Sequence, residues 1–178
     1  MHADSPCWDC RWPDPIALTV ATERIARGCA PEDPRYNRRL GIRVQLDPHD
    51  EQPTVALRAL LVTPWAVERV YWHDPNQAAP PIRHAFPLTA DMEGRVAAGL
   101  GVILSWAGQQ IPVLTAWEPE VGHHFVETLL PSVQDLGSVE EAIAVALGRK
   151  PLFPVKRSVT DHLSSTVSRR NLLGLLGR

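Results

Sequence analysis

The sequence predicts an α+β fold: one domain on a mostly antiparallel β-sheet with flanking helices, followed by a basic C-terminal tail. Three observations predict it. LGIRVQL (40–46) and AVERVYW (66–72) alternate apolar and polar residues, the period of a half-buried strand. IPVLTAW (111–117) and HHFVETLL (123–130) are joined by EPEVG, a turn short enough to make them an antiparallel hairpin. Two other segments open on helix caps, at Asp14 and at Ser138. With 178 residues the chain has material for one core rather than two.

In chain order, residues 1–13 read as an irregular lead. Asp14-Pro15 places a cap and a first-turn proline before IALTVATERIARG, and Gly28 closes that helix. Its apolar stripe is formed by Ile16, Leu18, Val20, Ala21 and Ile25. Residues 29–40 form a loop before the strand 40–46. PTVALRALLV (53–62) is more continuously apolar, as a central strand is. Thr63-Pro64-Trp65 then marks a bend between two strands, because proline lacks the amide proton that a central ladder needs. After the 66–72 strand, HDPNQAAPP is a loop. Met92, Val96, Leu100 and Ile103 have helical spacing, so 91–107 reads as a helix giving way to an extended end, weakened by Gly94, Gly99 and Gly101. In SVEEAIAVALGRKP, Ser138 and Glu141 form a capping box, Gly148 is the stop and Pro151 prevents continuation. The domain therefore spans 14–148, and 149–178 is a basic linker ending in SRRNLLGLLGR.

Composition narrows the function classes. Hydrophobic residues at 44% and charged residues at 21% are globular values. No apolar run is long enough for a membrane span, and MHADSPCWDC lacks the basic start and apolar stretch of a secretory signal, so a cytoplasmic location is expected. The net charge of −2 is unevenly spread: from Arg149 onward seven basic residues stand against Asp161, so that segment is +6 and the remainder −8. An acidic body with a basic tail points to self-docking or to a polar partner for the tail. The tail lacks the aromatic interleaving of a nucleic-acid surface, so neither nucleic acid nor stable membrane insertion is expected.

No nucleophile elbow, phosphate-cradling glycine loop or HExxH helix occurs, so no enzyme class is supported. Cys7 and Cys10 have metal-ligand spacing, but a tetrahedral site needs four ligands and no second close pair follows; Cys29 and His2 complete a set only where the fold brings them together. A small metal or redox protein using that pair is therefore the alternative reading, and a surface-binding module using the basic tail is another. His123 and His124 are neighbours on a strand, so their rings face opposite sides and do not share an ion. Trp65 stands apart from Trp72, Trp106 and Trp117: the adjacent proline places it at a sheet margin, where a partner reaches it, and tryptophan is over-represented at binding hot spots. The pair Arg169-Arg170 alone is empty in a chain with sixteen arginines; the serine before it and leucines after it add the pattern of a twin-arginine signal at the opposite end of the chain.

Taken in order, ERIA (23–26), LVTPW (61–65), GHHFVETLLPSVQDL (122–136), the SVEEAIAVAL helix and the SRRNLL ending resemble the [NiFe]-hydrogenase assembly chaperones of the HybE/HupJ type. Leu130-Pro131-Ser132 stands where that family has a Ser-Pro turn, and the 78–108 stretch is longer and richer in glycine. Some relatives carry an amino-terminal rubredoxin domain with two CxxC pairs, of which only one has a counterpart here, in Cys7 and Cys10, so no cofactor or metal is expected. The resemblance implies a cytoplasmic, non-enzymatic protein. Such a protein binds large or small hydrogenase subunit precursors and delays twin-arginine export until maturation. It also implies partner-binding roles for Thr63, Pro64, Trp65, Phe125, Pro131, Arg169, Arg170 and Leu172. The tail is then a pseudo-signal that occupies, or competes for, the surface reading the client's own signal.

Overall fold

The computed structural model describes residues 6–28, 33–46, 58–77 and 79–148. The chain runs α1 (Pro15–Gly28), β1 (Arg43–Leu46), β2 (Arg58–Val62), β3 (Val67–Tyr71), β4 (Ile82–Arg83), β5 (Gly101–Trp106), β6 (Gln109–Glu118), β7 (Gly122–Leu130) and α2 (Val139–Ala146). The strands form one seven-stranded sheet in the order β1-β2-β3-β7-β6-β5-β4, every neighbouring pair antiparallel. The fold class is α+β, as the sequence predicts.

The helices lie on opposite faces. Leu18 and Ala21 of α1 pack on Ala59 and Leu61 of β2, Val70 of β3 and Trp72 just beyond it. Ala142 of α2 packs on Val62 and Val67, which alternation turns to the other side. That second face also carries Tyr71, Val102, Leu104, Ile111, Val113 and Phe125 as one cluster. The sheet curls around it: Trp106 of β5 meets Tyr71 of β3 with ring centroids 5.1 Å apart, although two strands separate them in the ladder.

Both caps form as read. Asp14 Oδ1 accepts from the Ile16 and Ala17 amides at 3.0 and 2.9 Å, and Ser138 Oγ accepts from the Glu141 amide at 3.1 Å. Glu141 reaches one residue further back than a capping box requires, to the Gly137 amide at 2.7 Å. α1 buries a narrower strip than its pattern suggests: Leu18, Ala21 and Thr22 face the sheet, whereas Ile16, Val20 and Ile25 are exposed.

The helix expected within 91–107 does not form. Asp91 Oδ1 instead accepts from the Glu93 and Arg95 amides, closing a turn in which Gly94 has φ +80°. Only the extended end survives, as β5. Helical spacing of four apolar residues was outweighed by glycines that take left-handed backbone at 94 and 99. The short β4 begins directly after the 73–81 loop, where the sequence predicts no element. The lead is irregular, yet residues 6–13 are built into the fold as a strap. Cys7 bridges to Arg95, and the His123 amide donates to the Asp9 carbonyl at 2.7 Å while His123 Nδ1 accepts from the Asp9 amide at 2.7 Å. Gly122, with φ +73°, permits that approach, since a Cβ there would stand 2.5 Å from the Asp9 carbonyl oxygen.

Candidate functional site

Thr63-Pro64-Trp65-Ala66 is the tight turn between β2 and β3. The Thr63 amide and hydroxyl both donate to the Ala66 carbonyl, at 2.9 and 3.0 Å, and the hydroxyl oxygen accepts from the Ala66 amide at 3.0 Å. Thr63 is 1% exposed and Pro64 is buried, so both shape the turn from within and Trp65 is the residue presented, half-buried. Its indole lies against Tyr36, ring centroids 6.4 Å apart.

Asn37 holds this turn to the segment after β7. Its amide donates to the Pro64 carbonyl at 2.7 Å, and its side-chain nitrogen donates to the carbonyls of Val133 and Leu136, both at 2.7 Å. The two clamped segments, with Asp33–Tyr36 beside them, enclose a cleft of about 640 Å³ lined by Trp65, Tyr36, Pro131, Gln134, Ile25 and Glu68. Trp65 and Pro131, both singled out in the sequence, thus meet in one cleft. Asn37 was missed, because a lone asparagine in a loop carries no pattern.

Glu68 lines the cleft floor. It is half-buried, its carboxylate has no hydrogen-bond or ion-pair partner among the described residues, and burial pushes it above the usual range. Glu127, on the opposite face, is compensated: it accepts from Arg69 at 3.0 Å and from the Tyr71 hydroxyl at 2.6 Å.

Phe125 is placed elsewhere. It is 1% exposed, packed with Tyr71 and Leu104 and tilted against Trp8 at 5.7 Å, and it lines a separate cavity of about 290 Å³ with Trp72 and Trp106. Phenylalanine on an alternating strand has the same appearance on either face, and the register turned this one inward. Arg169, Arg170 and Leu172 lie outside the described residues.

The surface across β7, β6 and β5 on the α1 side was not anticipated. Val126, Leu114, Pro112 and Ile103 line a shallow groove of about 590 Å³ there, with Leu114 47% and Ile103 37% exposed. One signal existed: β6 is apolar at both parities, with Ile111 and Val113 turned to the core and Pro112 and Leu114 turned out.

Among the described residues, His123 and His124 are held within the sheet. His123 Nε2 lies 2.9 Å from the Val96 carbonyl, which assigns its proton to that nitrogen. Burial pushes His124 down to about 4, leaving it neutral beside Trp72. His73 is also pushed down by burial, and its Nε2 has no hydrogen-bond partner among the described residues. Burial raises the Cys10 thiol to about 11, away from the thiolate a metal needs. Among the described residues no group of three or more His, Cys, Asp or Glu converges on one point; His2 and Cys29 lie outside them. No described helix is long and apolar enough to cross a membrane.

No family model and no curated protein matches the sequence. The structure is similar to the solution structure of HybE from Escherichia coli, with a TM-score of 0.50 over 87% of this chain and 91% of that chain, at 16% identity. The chain thus has a HybE-type fold, the one its landmarks imply.

Proposed function

We propose that this protein is a cytoplasmic assembly chaperone for a [NiFe] uptake hydrogenase. It binds a large or small subunit precursor and delays twin-arginine export until maturation, without catalysing a reaction. The HybE-type fold supports this reading together with the landmarks shared with that chaperone type. The observation that carries it is the cleft at the end of the sheet: an indole held half-exposed by a rigid turn, beside a second aromatic ring and a proline, in a pocket large enough for several side chains.

In this reading Trp65 and Pro131 touch the client, Thr63 and Pro64 set the turn, and the basic tail with Arg169, Arg170 and Leu172 belongs to the recognition of export signals. Binding is tested with purified subunit precursors by titration calorimetry. Trp65→Ala retains the fold and weakens capture at least tenfold; unchanged affinity removes the cleft from the site.

A further inference from the structure

Half of the α1-side face has no described element packed on it. α1 covers β2 and β3, and beyond them the groove over Val126, Leu114 and Ile103 is open. It does not stop at β7. Thr128 lines both this groove and the Trp65 cleft, and it pairs in register with Glu68 of β3. The two depressions therefore run together, with the unpartnered Glu68 at their junction. From that end the surface offers a carboxylate in the same cleft as two aromatic rings, then an apolar floor. Arg83 and His84 stand at the far margin.

A segment that fits this order carries arginine first and large apolar residues next. The guanidinium pairs with the carboxylate and lies on an aromatic face, and the apolar side chains cover the floor. The cationic margin at Arg83 fixes the direction, since it repels the arginine end. The chain contains such a segment in SRRNLLGLLGR, within a part that carries +6 against −8 for the rest.

The geometry points to this face as the docking site of the chain's own residues 168–178, with Arg170 at Glu68 and the leucines across β7, β6 and β5. The lengths agree. Three strand spacings of about 4.8 Å separate β3 from β5, roughly 14 Å, and the five residue-to-residue steps from Arg170 to Leu175 span about 16 Å when extended. Nineteen residues link Gly148 to Ser168, a reach of about 65 Å, enough to pass around a domain about 40 Å across. The docked tail covers the apolar groove and gives Glu68 its cation. Its consequence for regulation rests on the proposed function: a client entering the Trp65 cleft must displace the tail.

The test uses the full chain with Cys7, Cys10 and Cys29 changed to serine, Gly174→Cys, and a nitroxide label on that cysteine. Amide signals of Ile103, Leu114 and Thr128 are expected to be lost and to return when the label is reduced. Arg169→Ala with Arg170→Ala, or Glu68→Gln, restores them without reduction. Unaffected signals, loss centred on α1, or loss that vanishes on dilution and so reports a second copy each overturn the docking. Should the serine background fail to fold, a photo-crosslinker at Leu114 in the otherwise native chain gives the same answer: an intramolecular link to 168–178 supports docking, and links elsewhere overturn it. No client is involved, so docking fails separately from the chaperone reading. Capture lost in Trp65→Ala without tail contact leaves the latter standing, and tail contact without any client binding leaves only the former.

Discussion

Replacing Gly122 by alanine tests how the strap of residues 6–13 is held. At φ +73° a side chain costs about 1 kcal/mol in backbone strain, and the new Cβ would stand 2.5 Å from the Asp9 carbonyl oxygen and 2.9 Å from Arg11 Cγ. A backbone oxygen cannot move alone, so the strap must shift. The shift breaks the reciprocal hydrogen bonds between Asp9 and His123, both 2.7 Å and each contributing about 1 kcal/mol. The expected loss is about 3–4 kcal/mol, read from urea denaturation at constant m. Gly94→Ala is the control: its φ is +80° and nothing lies within 4 Å of its Cβ, so strain alone, about 1 kcal/mol, applies. Cys10, half-buried on the strap, should also react faster with a thiol reagent in Gly122→Ala. Equal losses at the two glycines, with Cys10 reactivity unchanged, would refute the close-approach argument.

Asn37→Ala removes both side-chain bonds clamping Val133 and Leu136, and should cost about 2–3 kcal/mol by urea denaturation. Ser138→Ala removes the N-cap of α2, and a loss of about 1 kcal/mol is expected by the same measurement. His124 titrates near 4 when folded and near 6.5 in the unfolded chain, so the unfolded chain takes up its proton first as pH falls. Its contribution is therefore complete above pH 6.5 and is lost as pH drops towards 4, by up to about 3 kcal/mol; His124→Gln should flatten the stability–pH curve in that window. A slope unchanged by that substitution would assign the acid sensitivity to other groups.

Local physics written in a few adjacent residues was legible in the sequence. Asp14 and Ser138 cap their helices because a cap needs only its own turn, and EPEVG closes the β6–β7 hairpin for the same reason. Thr63-Pro64-Trp65 was readable as a bend because proline removes a ladder donor whatever surrounds it. What depends on distant partners was hidden. Phe125 could face either side of β7 until the register with Tyr71 settled it. The helical spacing of Met92, Val96, Leu100 and Ile103 yielded to the Asp91 turn and to the bridge from Cys7, a residue far away in sequence. Asn37 and Glu68 owe their importance to neighbours on other elements, the clamp on Val133 and the cleft beside Thr128, and no spacing announces either. The open groove over Leu114 required knowing how far α1 extends.

The central claim is that this fold grips a hydrogenase precursor through the cleft beside Trp65. Calorimetric titration of purified large- and small-subunit precursors into the wild-type protein and into Trp65→Ala tests it most directly. The account predicts saturable binding of at least one precursor by the wild type, weakened tenfold or more by the substitution while the urea midpoint stays in place. Absence of binding to both precursors, or equal affinity of the two proteins, would contradict it.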